Sequence, residues 1–303
     1  MARYSKIPLF NLLFLSILGL IVSASTVNAA SDKITIYVVN YPLKYFAGRI
    51  AGEHASVAFP APAEEDPAYW MPDAETIAAY QQADLILLNG ANYAKWVNKT
   101  SLPPSKLVNT SAKFKDRYAY AKEMVTHSHG AEGKHAHESL AFTLWIDFDL
   151  AAKQAKAIAK ALDRKRPGLK DTFQKNYLAL ERDLSALDLK IQNIVSKNQP
   201  PPLIGSHPVY DYFSKRYGLN MKSVHWEPDE VPGNQQWMDL QGVLKTHPAR
   251  WMIWEGNPNQ ETVKKLESMG INSLVFDPCG NVPAKGDFMS VMRRNVENLR
   301  KAF

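Results

Sequence analysis

The chain has 303 residues, a formal net charge of +6 and a single cysteine, Cys279. One cysteine excludes an internal disulfide, and lysines scattered along the whole length leave no nucleic-acid footprint. The length suits roughly two domains.

Arg3 and Lys6 precede an apolar run over 7–22, and small residues follow, ending Val27-Asn28-Ala29-Ala30. That order of charged, apolar and small residues predicts a secretory signal peptide over 1–29, cleaved after Ala29. No second run long enough to span a bilayer follows, and no cysteine lies near the cleavage point to carry a lipid. The mature protein is therefore expected to be exported and soluble. Loss of Arg3 and Lys6 lowers its net charge by two.

β-rich apolar segments at 34–39 and 83–89 alternate with helical patterns at 41–51 and 73–82. Next comes a tract with four of the eight histidines: His127, His129, His135 and His137. Neutral imidazole is a common ligand for zinc, copper and nickel. With two glycines and little apolar bulk, the tract reads as a surface loop that gathers metal.

Pro167 opens the strongest helical pattern. Leu169, Phe173, Tyr177, Leu180, Leu184, Leu187, Ile191 and Ile194 follow at spacings of three and four, until Gln199-Pro200-Pro201-Pro202 stops the helix. Such a helix would be roughly 45 Å long, enough to run the height of a domain. Strand patterns return at 203–206, 221–226, 250–255 and 273–277. Strand alternating with helix predicts an α/β fold with mostly parallel sheets, and the unbroken apolar character of the strands predicts sheets covered on both faces.

Several local motifs, in order, resemble the substrate-binding proteins of zinc and manganese ABC importers. These are Tyr41-Pro42-Leu43 with Arg49-Ile50-Ala51-Gly52, Asp66-Pro67 with Pro72 and Ile77, and the stretch 83–90 with Trp96-Val97. Further along come Leu144-Trp145-Ile146-Asp147, Gly205-Ser206-His207 with 212–219, and Phe276-Asp277-Pro278. The resemblance covers nearly the whole mature chain. It implies two Rossmann-like lobes, over 30–166 and 199–303, joined by a long rigid helix over 167–198. It also implies a periplasmic monomer that holds a metal ion in the cleft and delivers it to an ABC permease.

The departures from the family pattern are specific. Zinc-type members supply three histidines and one carboxylate from four loops. Here the first histidine position is Ala68 and the second is Thr143. The resemblance leaves His207 and Asp277 as metal ligands. Two protein ligands hold zinc far less tightly than four.

Other residues are candidates to complete the site. Glu255 ends an apolar strand, where open α/β sheets place ligands, although it also suits a buried structural carboxylate. Glu227 belongs to an acidic knot with Asp229 and Glu230 that also suits a solvated loop. The Cys279 thiolate would suit a soft metal, and the thiol alternatively a small buried apolar group. Trp70 and Trp226 are either cleft aromatics or core. His54 and His247 are expected to be exposed and uninvolved.

The leading expectation is a binding protein for a transition metal, zinc favoured over other divalent ions. The alternatives keep the fold but bind a metal chelate or small organic ligand, or act as an interaction protein with a relic site. No nucleophile elbow is present, and an enzyme is not expected.

Overall fold

The computed structural model describes residues 1–2, 33–120, 140–196 and 199–303. The predicted signal peptide, apart from residues 1 and 2, and the His127–His137 tract lie outside the described residues. The chain divides into two units, 1–32 and 33–303. Only residues 1 and 2 of the first are described, and they form no regular element.

The second unit starts with β1 (Ile34–Val38), α1 (Tyr41–Ala51), β2 (Ala55–Ala58), α2 (Ala74–Gln82), β3 (Leu85–Leu88) and β4 (Leu107–Asn109). The four strands form one parallel sheet in the order β2-β1-β3-β4. Local chemistry sets the boundaries: Asn40 accepts from Leu43 N at 3.1 Å to cap α1, with proline at its start, and Asp73 accepts from Thr76 N to cap α2.

Two long helices follow, α3 (Phe148–Lys165) and α4 (Lys170–Val195). The predicted stripe on α4 is buried from Phe173 to Ile194. Leu169 instead ends a short 3-10 turn, Pro167–Leu169, so the α-helix begins one turn later than its sequence pattern. Its 26 residues span about 39 Å and pack against α3 and α1.

The rest of the chain builds a second parallel sheet. Its elements are β5 (Leu203–Gly205), α5 (Asp211–Tyr217), β6 (Met221–Ser223), α6 (Asn234–Thr246), β7 (Trp251–Trp254), α7 (Gln260–Ser268), β8 (Asn272–Val275) and α8 (Phe288–Leu299). The order β6-β5-β7-β8 repeats that of the first sheet. The fold is thus α/β with two lobes, as expected. α8 turns back onto α1 and α4, with Phe288 edge-on to Phe46 at 5.2 Å between ring centroids.

His247 corrects its expected exposure. It is 4% exposed, and its Nε2 donates to the Leu203 carbonyl at 2.9 Å, tying the end of α6 to the start of β5. His54 is half-buried with its ring near Phe173.

Candidate metal centre

Parallel strands deliver their following loops to one end of the sheet, and this end carries the candidate ligands. Gly205 of β5 pairs with Ile253 of β7. Two residues beyond these positions lie His207 and Glu255, which makes them neighbours. His207 Nδ1 and Glu255 Oε1 are 3.0 Å apart, and Glu227 Oε1 reaches the same nitrogen at 3.5 Å. One donor atom from each of His207, Glu227 and Glu255 lies within 4.8 Å of the other two.

Gly205 makes the turn beneath this group feasible. A Cβ there would stand 2.9 Å from the Ser223 hydroxyl and 3.0 Å from the Tyr210 ring. Tyr210 is buried and donates to the Phe276 carbonyl at 2.9 Å, fixing the wall next to the carboxylates.

The electrostatics are those of a crowded acidic site around one imidazole. The hydrogen bond to Glu255 raises the His207 pKa, against the opposing effect of burial, with the charges of Glu255, Glu227 and Asp66 adding to the rise. Burial raises the Glu227 carboxyl. Asp66, on the loop after β2, faces the same pair from the first lobe. Its carboxyl is raised by burial, and further by the charge of Glu255. A cation here would replace the shared proton and neutralise carboxylates that repel one another.

Asp277 lies two residues beyond β8 but outside the 4.8 Å group. Its Oδ1 accepts from Cys279 N at 2.6 Å, and burial raises its pKa. Cys279 is 3% exposed, and burial pushes its thiol pKa up, so the thiolate that soft metals need is disfavoured. A thiol reagent should therefore label Cys279 slowly in the native protein and fully in denaturant; fast native labelling would contradict this burial.

Trp226 corrects the cleft-aromatic expectation. It is 2% exposed and packs on Trp237 and Trp254 in the second lobe's core, with centroids 4.8 Å and 6.2 Å away. Trp70 is half-buried, beside an exposed Tyr69 whose ring lies under the Lys95 ammonium.

The two positions that depart from the zinc-type pattern have other work. Ala68 is buried in the core. Thr143 is buried and donates its hydroxyl to the Val209 carbonyl at 2.5 Å, across the lobes. Trp145 Nε1 donates to the Pro278 carbonyl at 2.6 Å, and the Asn281 amide donates to the carbonyls of Pro62 and Glu65 at 2.7 Å and 2.8 Å. These loops of the first lobe thus serve as bridges to the second.

Sequence reasoning on single residues missed two groups at this site. Asp66 was visible only as part of an Asp-Pro motif. His225, whose ring lies 5.5 Å from that of His207, was visible only as a neighbour of Trp226. The residue pattern His225-Trp226-Glu227 carries the missing signal, because burial of the central residue in an extended segment turns the outer two the other way.

Comparison with known proteins agrees with this architecture. The family model described as "Zinc-uptake complex component A periplasmic" matches residues 36–302. The chain is 27% identical over 292 residues to the zinc-binding lipoprotein AdcA of Streptococcus pneumoniae, covering 93% of this chain but 58% of that one. It is also 27% identical to the manganese ABC transporter substrate-binding lipoprotein PsaA of Streptococcus pneumoniae, covering 89% of each. The iron ABC transporter substrate-binding lipoprotein MtsA of Streptococcus pyogenes is similar at 27% identity, with 94% of each chain covered. The fold is shared with the metal-dependent lipoprotein YcdH of Bacillus subtilis, with a TM-score of 0.76 at 21% identity, over 89% of this chain and 100% of that one. It is shared equally with the Zn(II)-bound ZnuA-like domain of AdcA from Streptococcus pneumoniae, with a TM-score of 0.74 at 22% identity, over 89% and 98%. The chain belongs to the family of substrate-binding proteins of metal ABC importers.

Proposed function

We propose that the protein captures a divalent transition metal outside the cytoplasmic membrane, between its lobes on His207, Glu227 and Glu255, and delivers it to an ABC permease in that membrane. The convergence of these three donors within 4.8 Å carries the reading. Asp277 stands behind them as a charge that favours a cation without being a direct ligand. Zinc is the first candidate, because affinity of such donors rises from manganese through iron toward zinc, and because the histidine tract would gather it. His127, His129, His135 and His137 act as a low-affinity collector, and the lobes as the carrier. The predicted signal peptide supports a periplasmic location. Burial of Trp226 leaves the cleft short of the aromatic surface that would suit an organic ligand.

Elemental analysis of the dialysed full chain tests this. A single zinc ion per chain is expected, both in the parent protein and in a variant with the four tract histidines changed to glutamine. Loss of metal with the tract histidines would locate binding there and overturn the cleft site.

A further inference from the structure

We infer that His225 is a fourth ligand of the same ion, so that the second lobe alone supplies the whole coordination set: His207, His225, Glu227 and Glu255. The inference rests on the metal-capture reading above and deepens it. Two strand pairings place the residues side by side. Gly205 pairs with Ser223 of β6 on one side and Ile253 of β7 on the other. His207, His225 and Glu255 each lie two residues beyond one of these paired positions. Two residues is one period of an extended chain, so the three side chains issue from adjacent tips on a common face.

The segment after β6 repeats the argument along the chain. Trp226 turns inward and is 2% exposed, while His225 and Glu227 are both exposed. The backbone there is held by Val224 N donating to Gly205 O at 2.9 Å and Trp226 N donating to Ser206 O at 2.8 Å. Trp226 thus acts as an anchor that presents His225 and Glu227 together toward His207.

The distance suits a shared ion. Two imidazoles bound tetrahedrally to zinc at about 2.0–2.1 Å have ring centroids about 5 Å apart. The His207 and His225 centroids are 5.5 Å apart, with the rings inclined by 66°. The His225 nitrogens lie outside the 4.8 Å donor group, and rotation of this exposed side chain is what brings both rings to one ion.

A set of two nitrogens and two carboxylate oxygens completes a tetrahedron and restores the ligand number lost at Ala68 and Thr143. It also moves selectivity. Imidazole suits zinc and copper, whereas carboxylate-rich sites suit manganese, so His225 biases the site away from manganese.

Copper(II) titrated alone into the full chain with His127, His129, His135 and His137 changed to glutamine tests the assignment, because nitrogen splitting in its electron paramagnetic resonance spectrum counts bound imidazoles. Two nitrogens are expected, falling to one on adding His225→Gln, with zinc affinity lowered by about 100-fold or more in a chelator competition, beyond the loss of a mere outer partner. His225 is exposed, so this substitution leaves the fold intact. A single-nitrogen spectrum that His225→Gln does not change would overturn the fourth ligand and leave the capture reading standing. Failure of the tract variant to bind copper at all would overturn both.

Discussion

Replacing His207 by alanine lowers zinc affinity by at least about 100-fold, since loss of a mere outer partner of a ligand already costs about 10- to 100-fold. His207 is the group on which the site converges: Glu255 and Glu227 both reach its Nδ1, at 3.0 Å and 3.5 Å. Without it, two carboxylates face each other with Asp66 nearby, and oxygen donors outnumber the one remaining imidazole. The residual site should therefore lose zinc more than manganese, since the imidazole contributes most to the softer ion. Competition against a chromophoric chelator measures both affinities. An unchanged zinc affinity would move the ion away from this cluster. A loss equal for zinc and manganese would keep the site and remove the argument from donor type.

Asp188→Ala is expected to destabilise the protein by about 3 kcal/mol, the lower end of the cost of breaking a buried ion pair, because Arg216 retains some solvent contact. Asp188 sits on α4, and its carboxylate accepts four hydrogen bonds. Oδ1 takes Arg216 Nε at 3.0 Å and the Tyr217 hydroxyl at 2.9 Å, while Oδ2 takes Arg216 Nη2 at 2.5 Å and Gln192 Nε2 at 2.7 Å. Three of these donors come from α5 and its end, so one carboxylate ties the long helix to the second lobe. Removing it leaves the Arg216 guanidinium with Asp147 at 3.7 Å as a distant partner. The melting temperature should fall by roughly 10 °C, given a few degrees per kcal/mol for a chain of this size. A double-mutant cycle with Arg216→Ala should show strong coupling. Independent, additive effects would mean the pair contributes little.

The long helix was legible because seven buried positions repeat at helical spacing over 26 residues. The central strands were legible for a different reason: β1, β3 and β7 are nearly unbroken apolar runs. β2 and β4 were not, since Ala-Ser-Val-Ala and Leu-Val-Asn are short edge segments whose pairing, not their composition, makes them strands. α4 also begins a turn late, because Pro167 starts a 3-10 turn rather than the helix itself.

The site was legible only at its strand tips. His207 and Glu255 follow apolar runs directly, and their positions are close to dictated by β5 and β7. Glu227 lies four residues past β6, and its direction follows only once Trp226 is known to be buried. Asp277 was read from the resemblance of Phe276-Asp277-Pro278 to a ligand loop, and its Oδ1 accepts from the Cys279 amide. That contact depends on local backbone geometry: Cys279 adopts φ +58°, a left-handed conformation that a residue list does not reveal. Trp226, left open between cleft and core, and His247, expected to be exposed, both proved buried. Whether a ring at the end of an element faces in or out depends on the neighbouring sheet, which sequence alone does not supply.

The bridges between the lobes bear on how tightly an ion is held. Thr143, Trp145 and Asn281 join the two halves through hydrogen bonds of the protein itself. A carrier whose competent form is rare has its apparent affinity reduced by that rarity, while one already in its competent form keeps the full intrinsic affinity. Bonds of this kind oppose separation of the halves without drawing on coordination energy. The same bonds define the work of unloading. Whatever parts the halves must offer hydroxyl, indole and amide donors a replacement for the backbone carbonyls they now hold.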